Sequence, residues 1–231
     1  VKHVPGCGSV VTGNHFDKYA SRNPMHRFLM HRFLGSANKL LQEIDFQNVL
    51  EVGCGAGELA EQLFRHHEFG TNTPPLKIQY IGIDIGSVEV QQARVRCPDF
   101  HFAVASAYQI PVDDASQELV IACEVLEHLE DVDAALREVQ RIAAGRVLIS
   151  VPREPLWRVL NMLRGKYWSV LGNTPGHLQN FSARDIQRMV SRYFEIEHVV
   201  RPLPWTMILA RSRALVPPRK SIHSPAVEER T

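Results

Sequence analysis

The sequence predicts an α/β fold: a doubly wound, seven-stranded, mostly parallel sheet, with an N-terminal helical leader and a lid insertion before the last helix. Three observations carry that expectation. Short apolar runs alternate with stretches of helical period; the first run, 47–52, opens into a turn holding Gly53, Gly55 and Gly57; and the second run ends on Asp84. Apolar strands separated by helices are the mark of a parallel sheet covered on both faces.

Along the chain, residues 1–14 show no convincing period and read as a loose lead-in. Over 16–41, Tyr19, Phe28, Leu29, Phe33, Leu40 and Leu41 recur at spacings of one or two amphipathic helices, with an interruption expected at Asn23-Pro24. Leu59, Leu63 and Phe64 form a helical stripe after the glycine turn, and Gly70, Asn72, Pro74 and Pro75 disfavour its continuation. Strands follow over 78–83, 101–105, 119–122 and 146–151, with helices at 87–96 and along the face Val132, Leu136, Val139 and Ile142. Residues 152–180 break the rhythm with Gly165, Gly172, Pro175 and Gly176, as a lid does. Ser182 is placed to cap a last helix over 184–191, with Asp185 at its positive end, before strands at 194–200 and 206–210. The division expected is a leader over 1–44, one domain over 45–212 that includes the insertion 152–182, and a mobile tail over 213–231.

At 231 residues the chain suits one substantial core rather than two. Its formal net charge of +1 supplies no general attraction for polyanions, so a nucleic-acid substrate is not indicated. Cys7, Cys54, Cys97 and Cys123 show neither paired spacing nor a Cys/His cluster; free thiols in a reducing compartment and no metal are expected. No apolar run approaches a membrane span and no targeting segment opens the chain, so a cytoplasmic protein is expected, with a trimmed start left open by the initial valine.

The glycines admit close approach of a ligand or of backbone, and either reading stands for a lone Gly-Xaa-Gly. Asp84, at the end of the next strand, is positioned to accept from both hydroxyls of a ribose, or else to cap a helix. Glu51 would repel a pyrophosphate and suits a ligand with a cationic amino end. Together they favour a cofactor with a cationic end over a dinucleotide.

The run Glu51-Val52-Gly53-Cys54-Gly55-Ala56-Gly57, with Gly82-Ile83-Asp84-Ile85, resembles the first two cofactor motifs of the class I S-adenosylmethionine-dependent methyltransferases, in particular the small-molecule, type 11-like branch. The resemblance covers roughly 45–212 and implies the cofactor S-adenosyl-L-methionine, with S-adenosyl-L-homocysteine as product. It sets Glu51, Gly53, Cys54, Gly55 and Gly57 beside the amino-acid part, Asp84 on the ribose and Ile85 against the adenine. In 105–111 many relatives carry an aspartate near the adenine amino group; here Ser106 stands at that place, leaving a weaker acceptor and the backbone of Ala107. Cys123-Glu124-Val125-Leu126-Glu127-His128 resembles the motif after the fourth strand, which lines cofactor and acceptor, and it brings in Cys123 and Glu124.

Methyl transfer needs in-line positioning in a partly dehydrated cleft, and a hydroxyl acceptor gains from a base. His128 and His177 are the base candidates. The family's acceptor cap falls within 152–182, which makes Trp157, Tyr167, Trp168 and His177 pocket candidates, with Tyr19 from the leader; Trp157 equally suits anchoring the insertion to the sheet. Arg153, Arg158, Arg164 and Lys166 beside Leu156, Trp157, Leu160, Met162 and Leu163 suit an acidic or partly apolar small molecule, or else a solvated helix face. O-, N- and C-acceptors stay open, as does the oligomeric state. The alternatives are a nicotinamide-dependent oxidoreductase and a noncatalytic cofactor-binding partner protein.

Overall fold

The computed structural model describes residues 23–65, 78–157, 162 and 178–213. Its strands are β1 (Asn48–Val52), β2 (Gln79–Asp84), β3 (His101–Val104), β4 (Gln117–Cys123), β5 (Ala143–Pro152), β6 (Phe194–Val200) and β7 (Trp205–Ser212). They form one sheet in the order β3-β2-β1-β4-β5-β7-β6, parallel except that β7 runs antiparallel to both β5 and β6. The described helices are α1 (Pro24–Gln42), α2 (Glu58–Phe64), α3 (Ser87–Arg96), α4 (Val132–Ile142) and α5 (Ala183–Val190), with a 3₁₀ turn at Leu126–His128.

Successive strand residues feed opposite layers, as the pleat requires. Val49, Leu119, Ile121, Leu148, Met207 and Leu209 join α1, α2 and α3 in one core. Leu50, Val120, Ala122, Ile149, Ile208 and Ala210 join α4 and α5 in the other. The helical face expected from Val132, Leu136, Val139 and Ile142 is buried as a unit. Ser182 caps α5, its hydroxyl accepting from the Asp185 N–H at 3.2 Å.

Asn23-Pro24 stands at the start of α1: the Asn23 side chain accepts from the Met25 N–H at 2.9 Å, and Pro24 occupies the first turn, where a missing N–H costs nothing; residues 16–22 lie outside the described residues. One expectation needs correction. The fifth strand begins at Ala143, directly after α4, and not at Arg146. Ala143-Ala144-Gly145 carries little strand propensity, yet Gln117 pairs with Ala143, and a Cβ on Gly145 would lie 2.2 Å from the Glu118 carbonyl oxygen.

Strand order reverses between β1 and β4, which lie side by side with chain connections leaving in opposite directions. Such a switch point opens a crevice at the carboxyl ends of the strands, where ligands of doubly wound sheets bind. The glycine turn after β1 sits there.

Candidate active site

The glycines of the turn serve different ends. Gly53 has φ 70°, and a Cβ there would stand 2.4 Å from Cγ2 of Val125, which follows β4. Gly53 therefore lets the two strand ends close on each other across the switch point. Gly55, at φ 52°, meets nothing nearer than a Glu58 carboxylate oxygen at 3.9 Å, so its outer side is open. The turn is closed beneath and open above.

Asp84 fixes that turn. One carboxylate oxygen accepts from the Gly55 N–H at 2.9 Å and the other from the Gly86 N–H at 2.8 Å, while the Cys54 N–H donates to the Ile83 carbonyl at 2.9 Å. Arg96 holds the other side, donating from Nε to the Ala56 carbonyl at 2.8 Å and pairing with Glu58 at 3.2 Å and Glu61 at 3.1 Å. Sequence reasoning missed Arg96, because nothing local to the end of α3 reveals a partner 40 positions earlier.

Glu51 is buried beneath the turn and accepts a hydrogen bond from the Tyr80 hydroxyl. Burial first, and then the neighbouring charges of Glu58 and Asp84, push its carboxyl up to about 8 against the lowering effect of the Tyr80 bond, so it holds a proton at neutral pH. Burial and the Glu51 charge drive the Tyr80 hydroxyl above its ordinary range. The Tyr80 ring is seated by Phe100 at 4.8 Å, Phe64 at 5.3 Å and Phe102 at 6.0 Å.

Beside Asp84, Ile85 exposes 53% of its surface, a large apolar side chain at the rim of the crevice. The Ala105 N–H donates to the Asp84 carbonyl at 2.9 Å and ties the loop carrying Ser106 and Ala107 to that rim. Ser106 Oγ accepts from the Tyr108 N–H at 3.2 Å, the local polar-turn role. After β4, Cys123 is buried, with burial pushing its thiol up, and Glu124 takes a left-handed φ of 61° while its N–H donates to the Ser150 carbonyl at 3.1 Å. Buried Glu127 is followed by half-buried His128, whose N–H donates to the Val125 carbonyl at 2.9 Å. Cys54, Cys97 and Cys123 are free thiols.

The insertion is fastened at both ends above β4 and β5. The Leu178 and Gln179 N–H groups donate to the Glu127 carbonyl at 2.8 and 3.0 Å, and the Glu154 N–H donates to the Phe181 carbonyl at 3.0 Å. Trp157 is half-buried with its ring 6.0 Å from that of Trp205, which meets Phe33 of α1 at 5.1 Å. Tyr19, Tyr167, Trp168 and His177 lie outside the described residues, as do Cys7, Arg158, Arg164 and Lys166. The structure thus brings Glu51, Gly53, Cys54, Gly55, Gly57, Asp84, Cys123 and Glu124 to the carboxyl ends of β1, β2 and β4, flanks them with Ile85, Ser106 and Ala107, and sets His128 just beyond β4. Among the described residues no group of three or more His, Cys, Asp or Glu side chains is arranged to hold a metal, and no helix is long and apolar enough to cross a membrane.

A family model described as a methyltransferase domain matches residues 18–199. The chain belongs to that family. It is a member of the class I S-adenosylmethionine-dependent methyltransferases, and the sheet order above is the fold of that superfamily. This methyltransferase-domain protein is 30% identical over 105 residues to a probable S-adenosylmethionine-dependent methyltransferase of Mycobacterium tuberculosis, covering 46% of the chain and 35% of that protein. It is 26% identical over 161 residues to a ubiquinone biosynthesis O-methyltransferase of Acinetobacter baylyi, covering 66% of the chain and 63% of that enzyme. The chain thus spans between about a third and two thirds of the length of these curated relatives. Among solved structures, magnesium protoporphyrin IX methyltransferase of Synechocystis with bound S-adenosylhomocysteine superposes with a TM-score of 0.62 at 18% identity, covering 84% of this chain and 91% of that one. A Pyrococcus horikoshii protein gives 0.63 at 14%, covering 86% and 97%. At such identities the likeness is one of fold.

Proposed function

We propose that this protein transfers a methyl group from S-adenosylmethionine to a small-molecule acceptor and releases S-adenosylhomocysteine. The observation that carries the reading is the open outer side of Gly55, on a turn held by the same Asp84 that ends β2, with the Glu51 carboxyl buried beneath. These residues fit that cofactor. A carboxylate offers about four acceptor sites, so Asp84 keeps two for a ribose diol after its two backbone bonds. Ile85 supplies an apolar face for the adenine, the Ala107 backbone its polar edge, and Ser106 retains a hydroxyl hydrogen to donate. Cys123 and Glu124 close the β4 side.

When bound, the cofactor supplies an electrophilic methyl on a sulfonium. The residues of this chain bind, orient and exclude water around it. Glu51, protonated in the free protein, becomes the counter-charge of a cationic ligand by giving up its proton, so affinity rises as pH climbs toward 8. His128 is the candidate base for a hydroxyl acceptor, joined by His177 of the insertion; O-, N- and C-acceptors all lie within the reading. The O-methyltransferase relative puts hydroxyl-bearing, partly apolar molecules first in the assay. Trp157, Tyr167, Trp168 and Tyr19 belong to the acceptor side of the proposal.

Calorimetric titration with S-adenosylmethionine tests this directly. Binding is expected in the wild type and roughly a hundredfold weaker in Asp84→Ala, the loss of two hydrogen bonds to a charged group. Wild-type protein that is folded and binds no S-adenosylmethionine sinks the reading.

A further inference from the structure

The outward face of α1 has a chemistry found on no other described helix. From Pro24 to Gln42 it contains no acidic residue, while Arg27, His31, Arg32 and Lys39 all point to solvent. Several arginines elsewhere are neutralised: Arg65, Arg96, Arg141, Arg146, Arg192 and Arg211 each pair with a carboxylate. Arg27 and Arg32 have no carboxylate within ion-pair reach among the described residues. The chain's net charge is only +1, so this concentration is local.

Two large apolar side chains share that face. Met25 is 60% exposed and Phe28 54%, and the Arg32 guanidinium lies over the Phe28 ring at 5.8 Å from its centroid. The inner face of α1, from Leu29 to Leu41, is already spent on the core, so the apolar pair is not explained by packing among the described residues.

We propose that this face docks the protein on an anionic lipid surface, with Met25 and Phe28 entering the boundary between headgroups and acyl chains and Arg27 and Arg32 meeting lipid phosphates. Charge complementarity selects the partner's sign. The exposure of a flexible methionine and a phenylalanine among long cationic stems selects a fluid surface over a shaped protein pocket, because arginines on such a helix lie along the boundary with their heads in the polar layer. Phe33, on the inner face of the same helix, meets Trp205, which meets Trp157 where the insertion begins, so α1 is joined through its buried side to the start of the insertion.

The test is co-sedimentation of the full chain with vesicles of phosphatidylcholine mixed with phosphatidylglycerol, against vesicles of phosphatidylcholine alone. Binding is expected only to the anionic vesicles and is expected to fall with added salt. Arg27→Glu/Arg32→Glu should weaken it about tenfold or more, and Phe28→Ser by about threefold to tenfold. Arg188→Glu on exposed α5 should leave it unchanged. As a check independent of these losses, Phe28→Trp should gain fluorescence that brominated anionic lipid quenches. Equal binding to neutral vesicles, full binding by the charge-reversed protein, or absence of quenching overturns the proposal. So does capture by soluble polyglutamate as tight as by vesicles, which would point to an acidic protein.

Discussion

The glycine-turn side of the site, proposed for the cofactor, and the insertion side, proposed for the acceptor, are built on different principles. On the glycine-turn side, the turn after β1 is held by backbone hydrogen bonds to Asp84, Ile83 and Arg96, and its glycines face Val125 after β4, Ala93 of α3 or open space. On the acceptor side, what is described is two fastenings and one aromatic contact at the ends of a long insertion. Recognition of a constant cofactor can be delegated to main-chain geometry, which tolerates little change. Under the proposed function, recognition of a variable acceptor would fall to a segment anchored to the sheet at its two described ends.

The strongest way to break that contrast is Gly53→Ala. A Cβ 2.4 Å from Val125 in a left-handed turn should cost on the order of 3 kcal/mol, seen in denaturant melts, and Val125→Ala should restore part of it. Full stability in the single variant would mean that the strand ends are not closed as described.

Glu51→Gln sharpens the contrast through pH. The folded carboxyl titrates at about 8 and the unfolded one at its ordinary value of 4.5, so between these the folded state keeps a proton the unfolded chain has lost. The ligand-free wild type should therefore lose stability as pH rises through that window and level off above it. The full difference is on the order of 5 kcal/mol. The uncharged amide of the variant should flatten the profile, and a profile unchanged by the substitution would show Glu51 to be ionised in the free protein.

Trp157→Ala carries the smallest expected effect. Loss of a half-buried ring against Trp205 should cost about 1–2 kcal/mol and raise the acceptor KM, with cofactor affinity within about twofold of wild type. A matching fall in cofactor affinity would erase the division between the two sides.

Legibility follows the same divide. Elements with local signals are readable: α3 spans the residues its pattern predicts, Ser182 caps α5, and the stripe Leu59, Leu63 and Phe64 is buried. The glycine turn and Asp84 are visible because the chemistry needs those residue types at fixed strand ends. What is not readable is non-local. The contact of Val125 with Gly53, the reach of Arg96 to Ala56 and the pairing of Tyr80 with Glu51 join distant positions with no mark in either segment. The left-handed Glu124 is equally hidden, since glutamate gives no sign of such a backbone.

The insertion of β7 between β5 and β6, with Phe33 of α1 seated on Trp205, also sets a timetable for synthesis. Trp205 leaves the ribosome 172 positions after Phe33. At ordinary elongation rates that delay is on the order of 10–30 s, during which the apolar face of α1 has no strand to cover it. The sheet can be sealed only after its antiparallel strand has been made, so the inner face of α1 waits on the segment that carries Trp205.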